Sequence, residues 1–165
     1  MDLRFRPMDE ASARETLIWR YEPPYDFYNP NPDKAEETVQ WFLDPRNAYY
    51  AIIGNAGELV GYCCFGADAR VPGGDYGADA LDVGLRMRPD LTGQGRGGEF
   101  FAAILDFARR TFTPRVFRVT VAAFNRRAMR VYEKAGFERA QEFQRSGDGE
   151  GFVVLMRKSN LPSPE

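Results

Sequence analysis

The chain has 165 residues, 44% of them hydrophobic and 14% aromatic, with a formal charge of −2. That is enough apolar matter for one domain with a real core, and too little chain for two comfortable ones. Histidine is absent, which excludes Ser-His-Asp and Cys-His chemistry and the commonest metal ligand. Any base is therefore a carboxylate, tyrosine, lysine or water, and no metal site is expected.

In chain order, LRFRPM alternates apolar and polar residues as a short strand does, and DEASARETLIWRY reads as a helix ending before Pro23. The segment MDLRFRPMDE has no apolar secretory core, and the apolar run AYYAII is far below the roughly 18 residues of a membrane span. A cytoplasmic chain with no membrane partner is expected. Next comes RYEPPYDFYNPNPD, with four aromatic rings and four prolines. The prolines rule out a helix centre or central strand, and the rings are too many for a solvated linker. The segment is expected to cover something, either the core or a ligand.

Asp33 and Glu36 have capping-box spacing ahead of KAEETVQWFL, and Pro45 closes that helix. AYYAIIG and LVGYCCFGA, joined by NAGE, read as a hairpin. Cys63 and Cys64 are neighbours on its second strand, where their side chains point to opposite faces, and are expected to be two reduced packing residues. After the loop VPGGDYGAD, ALDVGLRM places Leu81, Val83, Leu85 and Met87 at period two, and Gly84 suggests a bulge or a close backbone approach. Beyond RPDLTGQGRGG, EFFAAILDFARRTF reads as a helix and VFRVTVA as a strand. NRRAMRVYEKAG is a helix capped by Asn125 and stopped by Gly136, and GFVVLMRK is the last strand. The expected order is β-α-α-β-β-β-α-β-α-β-β, an α/β fold with a mixed, mainly antiparallel sheet flanked by helices. A single domain over 1–158 and a flexible tail over 159–165 are expected.

Charge is unevenly spread. Asp9 to Asp44 holds nine acids and three basic residues, whereas Phe107 to Tyr132 holds seven arginines and no acid. One half should favour cations and the other anions, unless both are ordinary solvated faces. TGQGRGG between a strand and a helix can turn its amides and the helix start toward a phosphate. Gly93, Gly95 and Gly98 match G-x-G-x-x-G literally, but a dinucleotide fold wants that motif after the first strand, with an acid about 20 residues on. Arg118 stands near that position, so a nicotinamide oxidoreductase is a distant reading, and a nucleoside-triphosphate loop would end in Gly-Lys-Ser/Thr.

LRMRPDLTGQGRGGEFFAAIL followed by VTVAAFNRRAMRVYEKAGFE resembles the two core motifs of the GCN5-related N-acetyltransferase (GNAT) family. In the first, a strand and Pro precede Arg/Gln-x-x-Gly-x-Gly and a helix; in the second, Asn is followed seven residues later by Tyr, then Gly-Phe. The leading Arg or Gln falls on Thr92 here, although backbone amides do not depend on that side chain. The resemblance implies acetyl-CoA as co-substrate and direct attack by a primary amine on its thioester. It implies backbone contacts to pantetheine and thioester through Leu85, Arg86 and Met87, and a pyrophosphate cradle formed by Gly93, Gln94, Gly95, Arg96, Gly97 and Gly98. Arg126, Arg127 and Arg130, with Arg96, would be further partners of the phosphates. Asn125 would bond the cofactor, and Tyr132 would be the general acid for the leaving thiolate. The helical pattern alone also explains Tyr132 as core and Asn125 as an N-cap.

Members of this family that acetylate protein N-termini often carry Glu five residues ahead of the Asn, and Thr120 stands there. The base is therefore sought in a water relayed to Glu22, Asp26 or Asp82. In this fold RYEPPYDFYNPNPD lies on the acceptor side, where Tyr25, Phe27 and Tyr28 could form walls while Glu22 and Asp26 attract a cationic small-molecule or peptide amine. A coenzyme-A-binding regulatory module without transfer activity is the rival reading. No nucleic-acid partner is expected, and a homodimer stays open.

Overall fold

Asp9 opens the first helix of the computed structural model, which describes residues 2–159. Its carboxylate accepts the Ser12 amide at 2.8 Å and the Ser12 hydroxyl at 2.9 Å, serving a donor that a helix start leaves without an acceptor. The chain runs β1 Arg4–Pro7, α1 Glu10–Leu17, α2 Ala35–Leu43, β2 Tyr49–Ile53, β3 Leu59–Phe65 and β4 Leu81–Met87. It continues as α3 Gly97–Phe112, β5 Val116–Ala122, α4 Arg126–Lys134, β6 Glu138–Gln144 and β7 Gly151–Lys158. This is the expected order. The seven strands form one mixed sheet in the order β1-β2-β3-β4-β5-β7-β6. Strands β4 and β5 run parallel, whereas β1–β2, β2–β3, β5–β7 and β6–β7 are antiparallel.

The chain groups into two compact units, Met1–Phe65 with Leu85–Arg96 and Gly66–Gly84 with Gly97–Glu165. Each has its own apolar centre. In the first, Met8, Ala13, Trp19, Val39, Ala51, Ile53 and Leu59 form a buried cluster, in which each large side chain contributes about 1.5–3 kcal/mol. Phe42 stacks on Tyr49 at 4.3 Å between ring centres and meets Tyr62 at 5.3 Å, which closes this core with aromatic edges. The expected capping box at Asp33 is not made. Asn31 instead accepts the Asp33 amide at 3.0 Å over a short 3-10 turn, Pro32–Lys34, and α2 starts at Ala35 without a side-chain cap. Cys63 and Cys64 are both buried, as expected of packing residues.

In the second unit α3 buries Phe100, Phe101, Ile104, Leu105 and Ala108, one stripe of a 3.6-residue period. Strand β5 alternates, with Phe117, Val119 and Val121 on one face and Arg118 and Thr120 on the other. It pairs with β7 over its whole length, from Val116↔Lys158 to Ala122↔Phe152. Its ladder with β4 consists of Leu81↔Phe117 and Asp82↔Arg118, so the pairing ends before Gly84, where the sequence suggested an interruption. Residues 160–165 of the expected tail lie outside the described residues. Ser159, expected to belong to that tail, is tied down: its amide donates to the Arg115 carbonyl at 2.9 Å and its carbonyl accepts from Arg109 Nε at 2.8 Å.

Candidate active site

The proline-rich segment after α1 owes its shape to a reciprocal pair of hydrogen bonds. The Asn29 side chain accepts the Tyr21 amide at 2.7 Å and donates to the Tyr21 carbonyl at 3.3 Å, closing residues 21–29 into a loop. Inside it Tyr25–Tyr28 make a 3-10 turn. The Tyr21 hydroxyl donates to the Met87 carbonyl at 2.6 Å, and the Arg86 guanidinium lies 4.3 Å from the centre of the Tyr28 ring, a cation–π contact. The segment is thereby fastened to Arg86 and Met87 of β4, two of the three residues expected to contact the thioester. Glu22 and Asp26 are exposed, whereas Tyr25, Phe27 and Tyr28 are half-buried, with Phe27 set edge-on to Tyr28. Tyr21 and Asn29 were missed in the sequence reading. The signal lay in the quoted stretch, since an asparagine among prolines is a turn-forming side chain.

Thr92 closes the turn after β4 by donating to the Pro89 carbonyl at 2.7 Å, so its side chain faces its own backbone. Gly93 and Gly95 follow with φ of +70° and +75°, the left-handed region that favours glycine. Residues Gly93 to Arg96 are exposed, and Arg96 has no side-chain partner among the described residues. The loop runs directly into α3, whose first amides have no acceptors within the helix. At Gly97 an added Cβ would stand 2.9 Å from Val131 Cγ2 of α4, so the glycine sets how closely α3 and α4 approach. Gly97→Val is expected to cost about 1–3 kcal/mol through overpacking, read as a lowered urea midpoint at unchanged slope.

Helix α4 starts where expected. Asn125 Oδ1 accepts the Ala128 amide at 3.0 Å, which makes the N-cap, and Asn125 has other interactions besides. Tyr132 is 7% exposed, its ring 4.9 Å from that of Phe101 and 6.4 Å from that of Phe137. Arg126, Met129, Arg130 and Glu133 turn toward a groove of about 670 Å3 lined also by β6 and β7. Of the expected phosphate partners, Arg126 and Arg130 line that groove, whereas Asn125, Tyr132 and the glycine loop do not.

Asp82 requires a correction. It is 1% exposed, and its carboxylate accepts from Arg118 Nε at 2.6 Å, Arg118 Nη2 at 2.8 Å and Arg70 Nε at 2.8 Å. The hydrogen bonds it donates to that carboxylate hold the Arg118 guanidinium above its ordinary pKa. With its carboxylate buried and held by two guanidiniums, Asp82 is placed as an anchor of the fold rather than as the expected base candidate. Arg118 also donates to the Ala78 carbonyl at 2.9 Å, which ties the loop before β4 to the middle of β5.

The model of the acetyltransferase (GNAT) domain family matches residues 2–138 of this chain. The chain belongs to that family. GNAT membership makes it an N-acetyltransferase with acetyl-CoA as co-substrate. No curated protein sequence matches it significantly. Among solved structures, a GNAT-family acetyltransferase from Bacillus anthracis is similar at a TM-score of 0.73 and 16% identity, covering 98% of this chain and 97% of that one. A chimera of spermidine N-acetyltransferase SpeG from Vibrio cholerae and hSSAT is similar at 0.68 and 18% identity, covering 96% and 97%. Salmonella typhimurium yncA, solved with its cofactor acetyl-CoA, is similar at 0.63 and 17% identity, covering 99% and 98%. At these identities the likeness is one of fold. The residues of this GNAT chain fit the co-substrate: a left-handed glycine loop opens its backbone at the start of a long helix, and a buried tyrosine follows the Asn125 cap by two turns. Among the described residues no helix is long and apolar enough to cross a membrane, and no three metal-ligating side chains cluster.

Proposed function

We propose that this GNAT chain transfers the acetyl group of acetyl-CoA to a cationic primary amine by direct attack in a ternary complex. The observation that carries the acceptor class is the fastening of an acidic, aromatic loop, residues 21–29, onto Arg86 and Met87. Similarity to a spermidine N-acetyltransferase supports it. Acetyl-CoA supplies the activated acyl group. The backbone of Leu85 to Met87 holds pantetheine and polarises the thioester carbonyl. The amides of residues 93–98 and the start of α3 hold the pyrophosphate, Arg96 adds charge, and Asn125 orients the bound molecule. Tyr132 gives its hydroxyl proton to the departing thiolate. Glu22 and Asp26 attract the ammonium group of the acceptor, and Tyr25 and Tyr28 form its walls.

Direct attack also fits the cysteines. Cys63 and Cys64 are both buried, and burial pushes the Cys63 thiol well above its usual pKa, so neither is an accessible nucleophile for an acetyl-enzyme. Mixing protein, acetyl-CoA and a panel of diamines, polyamines, aminoglycosides and peptides should release free thiol with cationic amines. Initial-rate plots at several amine concentrations should intersect. Parallel plots would overturn the ternary complex, and acetyl-CoA binding without thiol release under any amine would favour the regulatory module.

A further inference from the structure

Strand β4 has two edges, and its backbone hydrogen bonds decide which groups lie on each. The Arg88 amide donates to the Val60 carbonyl at 2.8 Å, and the Gly66 amide donates to the Asp82 carbonyl at 2.9 Å. These bonds stand equally far apart on β3 and on β4, so the antiparallel register between the two strands carries no net slip. In such a ladder alternate residues exchange bonds with the partner strand. Residues 82, 84, 86 and 88 therefore turn their amides and carbonyls toward β3, and Leu85 and Met87 turn theirs the other way. On that side the ladder with β5 has already ended at Asp82↔Arg118, which makes this the edge that faces a bound thioester.

An open strand edge alternates donors with acceptors, which makes it a poor host for a thioester oxygen. A bare carbonyl beside the amides sets one negative dipole end against another. Here both carbonyls are covered. The Tyr21 hydroxyl donates to the Met87 carbonyl at 2.6 Å, and the Arg86 guanidinium donates to the Leu85 carbonyl at 3.3 Å. The loop over residues 21–29 stands behind each cover, since Tyr21 is its border residue and the Tyr28 ring lies 4.3 Å from the same guanidinium. Closing that loop does not need the Tyr21 hydroxyl, because the Asn29 side chain already bonds the Tyr21 amide and carbonyl. The hydroxyl serves the strand instead. With the Arg88 amide held by Val60, the peptide group between Met87 and Arg88 is fixed from both sides.

We propose that Tyr21 is a positioning residue for acetyl transfer: its hydroxyl caps the Met87 carbonyl, so that this edge of β4 meets the thioester oxygen with amide donors and no bare acceptor. The proposal rests on the reading that Leu85 to Met87 hold pantetheine and thioester. The cap acts through the strand and touches no reacting atom. It removes the repulsion that a lone carbonyl exerts on a second carbonyl oxygen, a repulsion greatest in the transition state, when the thioester oxygen carries the most negative charge. One residue thus serves both sides of the site, bounding the acceptor loop with its backbone and tuning the thioester strand with its hydroxyl.

The test is Tyr21→Phe, which keeps the ring and deletes the hydroxyl. The thermal midpoint and the affinity for free CoA, which has no acyl carbonyl, report whether strand and loop are kept, and both should match wild type. Thiol release should fall about tenfold in kcat/KM for acetyl-CoA, by the same factor with every amine of the panel. The infrared carbonyl band of bound, carbonyl-labelled acetyl-CoA should lie below that of the free thioester in wild type and move back toward it in Tyr21→Phe. An unmoved band overturns the proposal. So does a loss that differs from amine to amine, which would put Tyr21 on the acceptor side, or one matched by an equal loss of free CoA affinity, which would make it a structural prop. The underlying reading fails in a different way: a wild-type band at the free position means that Leu85 to Met87 do not polarise the thioester at all, whereas a shifted wild-type band with an indifferent Tyr21→Phe sinks the cap alone.

Discussion

Arg118→Met is expected to destabilise the protein by about 3–5 kcal/mol, roughly 6–20 °C in thermal midpoint for a chain of this size. The reason is asymmetric. Asp82 and Arg118 are each 1% exposed and satisfy one another through two short hydrogen bonds, and Arg70 fills the remaining reach of the carboxylate. Removing Arg118 leaves a buried carboxylate with one partner whose side chain is 42% exposed, and a desolvated charge so poorly matched is far more costly than the pair was favourable. The double variant Asp82→Leu/Arg118→Met removes the orphan and should recover most of the loss. A single variant that melts within 2 °C of wild type would show that the pair contributes nothing. Because Arg118 also holds the Ala78 carbonyl and stacks on Tyr76, its loss should speed proteolysis in residues 70–80 before the rest of the second unit.

Tyr132→Phe is expected to lower kcat and kcat/KM for acetyl transfer together, by about 10²–10⁴-fold, with acetyl-CoA affinity and thermal midpoint near wild type. The split follows from where Tyr132 sits. Its ring belongs to the packing between Phe101 and Phe137, which phenylalanine reproduces, so the substitution deletes little beyond one hydroxyl. If the hydroxyl only filled a hydrogen-bonding need of the core, stability would fall while turnover per folded molecule held. Thiol release by Tyr132→Phe within threefold of wild type would end the general-acid assignment.

The fold was legible because its signals are local. Alternating residues at β4 and β5, the Asn125 cap and the stripe Phe101–Ile104–Leu105–Ala108 each lie within a few turns of chain. The capping box at Asp33 failed for a local reason too, since Asn31 and Pro32 had already turned the chain before a helix could start there. Of the candidate site, the glycine loop was legible as a left-handed turn, because that depends on a short motif. Asp82 was misread because what neutralises it comes from Arg118, 36 residues on, and from Arg70 in a loop that carries no periodic pattern. The same blindness hid Tyr21, because the Met87 carbonyl that its hydroxyl meets stands 66 residues on.

The clasp between Tyr21 and Asn29 bounds the acceptor loop as a cassette. Its two ends are fixed by hydrogen bonds to one another, and its anchor to β4 is the Tyr21 hydroxyl at the border. Residues 22–28 can therefore be exchanged as one piece while the strand that holds the thioester keeps its support. Tyr28, with the Arg86 guanidinium over its ring, links the interior of the cassette to that strand. On the proposed reading, acceptor preference and cofactor handling lie in separable pieces of the chain, so the first can be rewritten by one short exchange without touching the second.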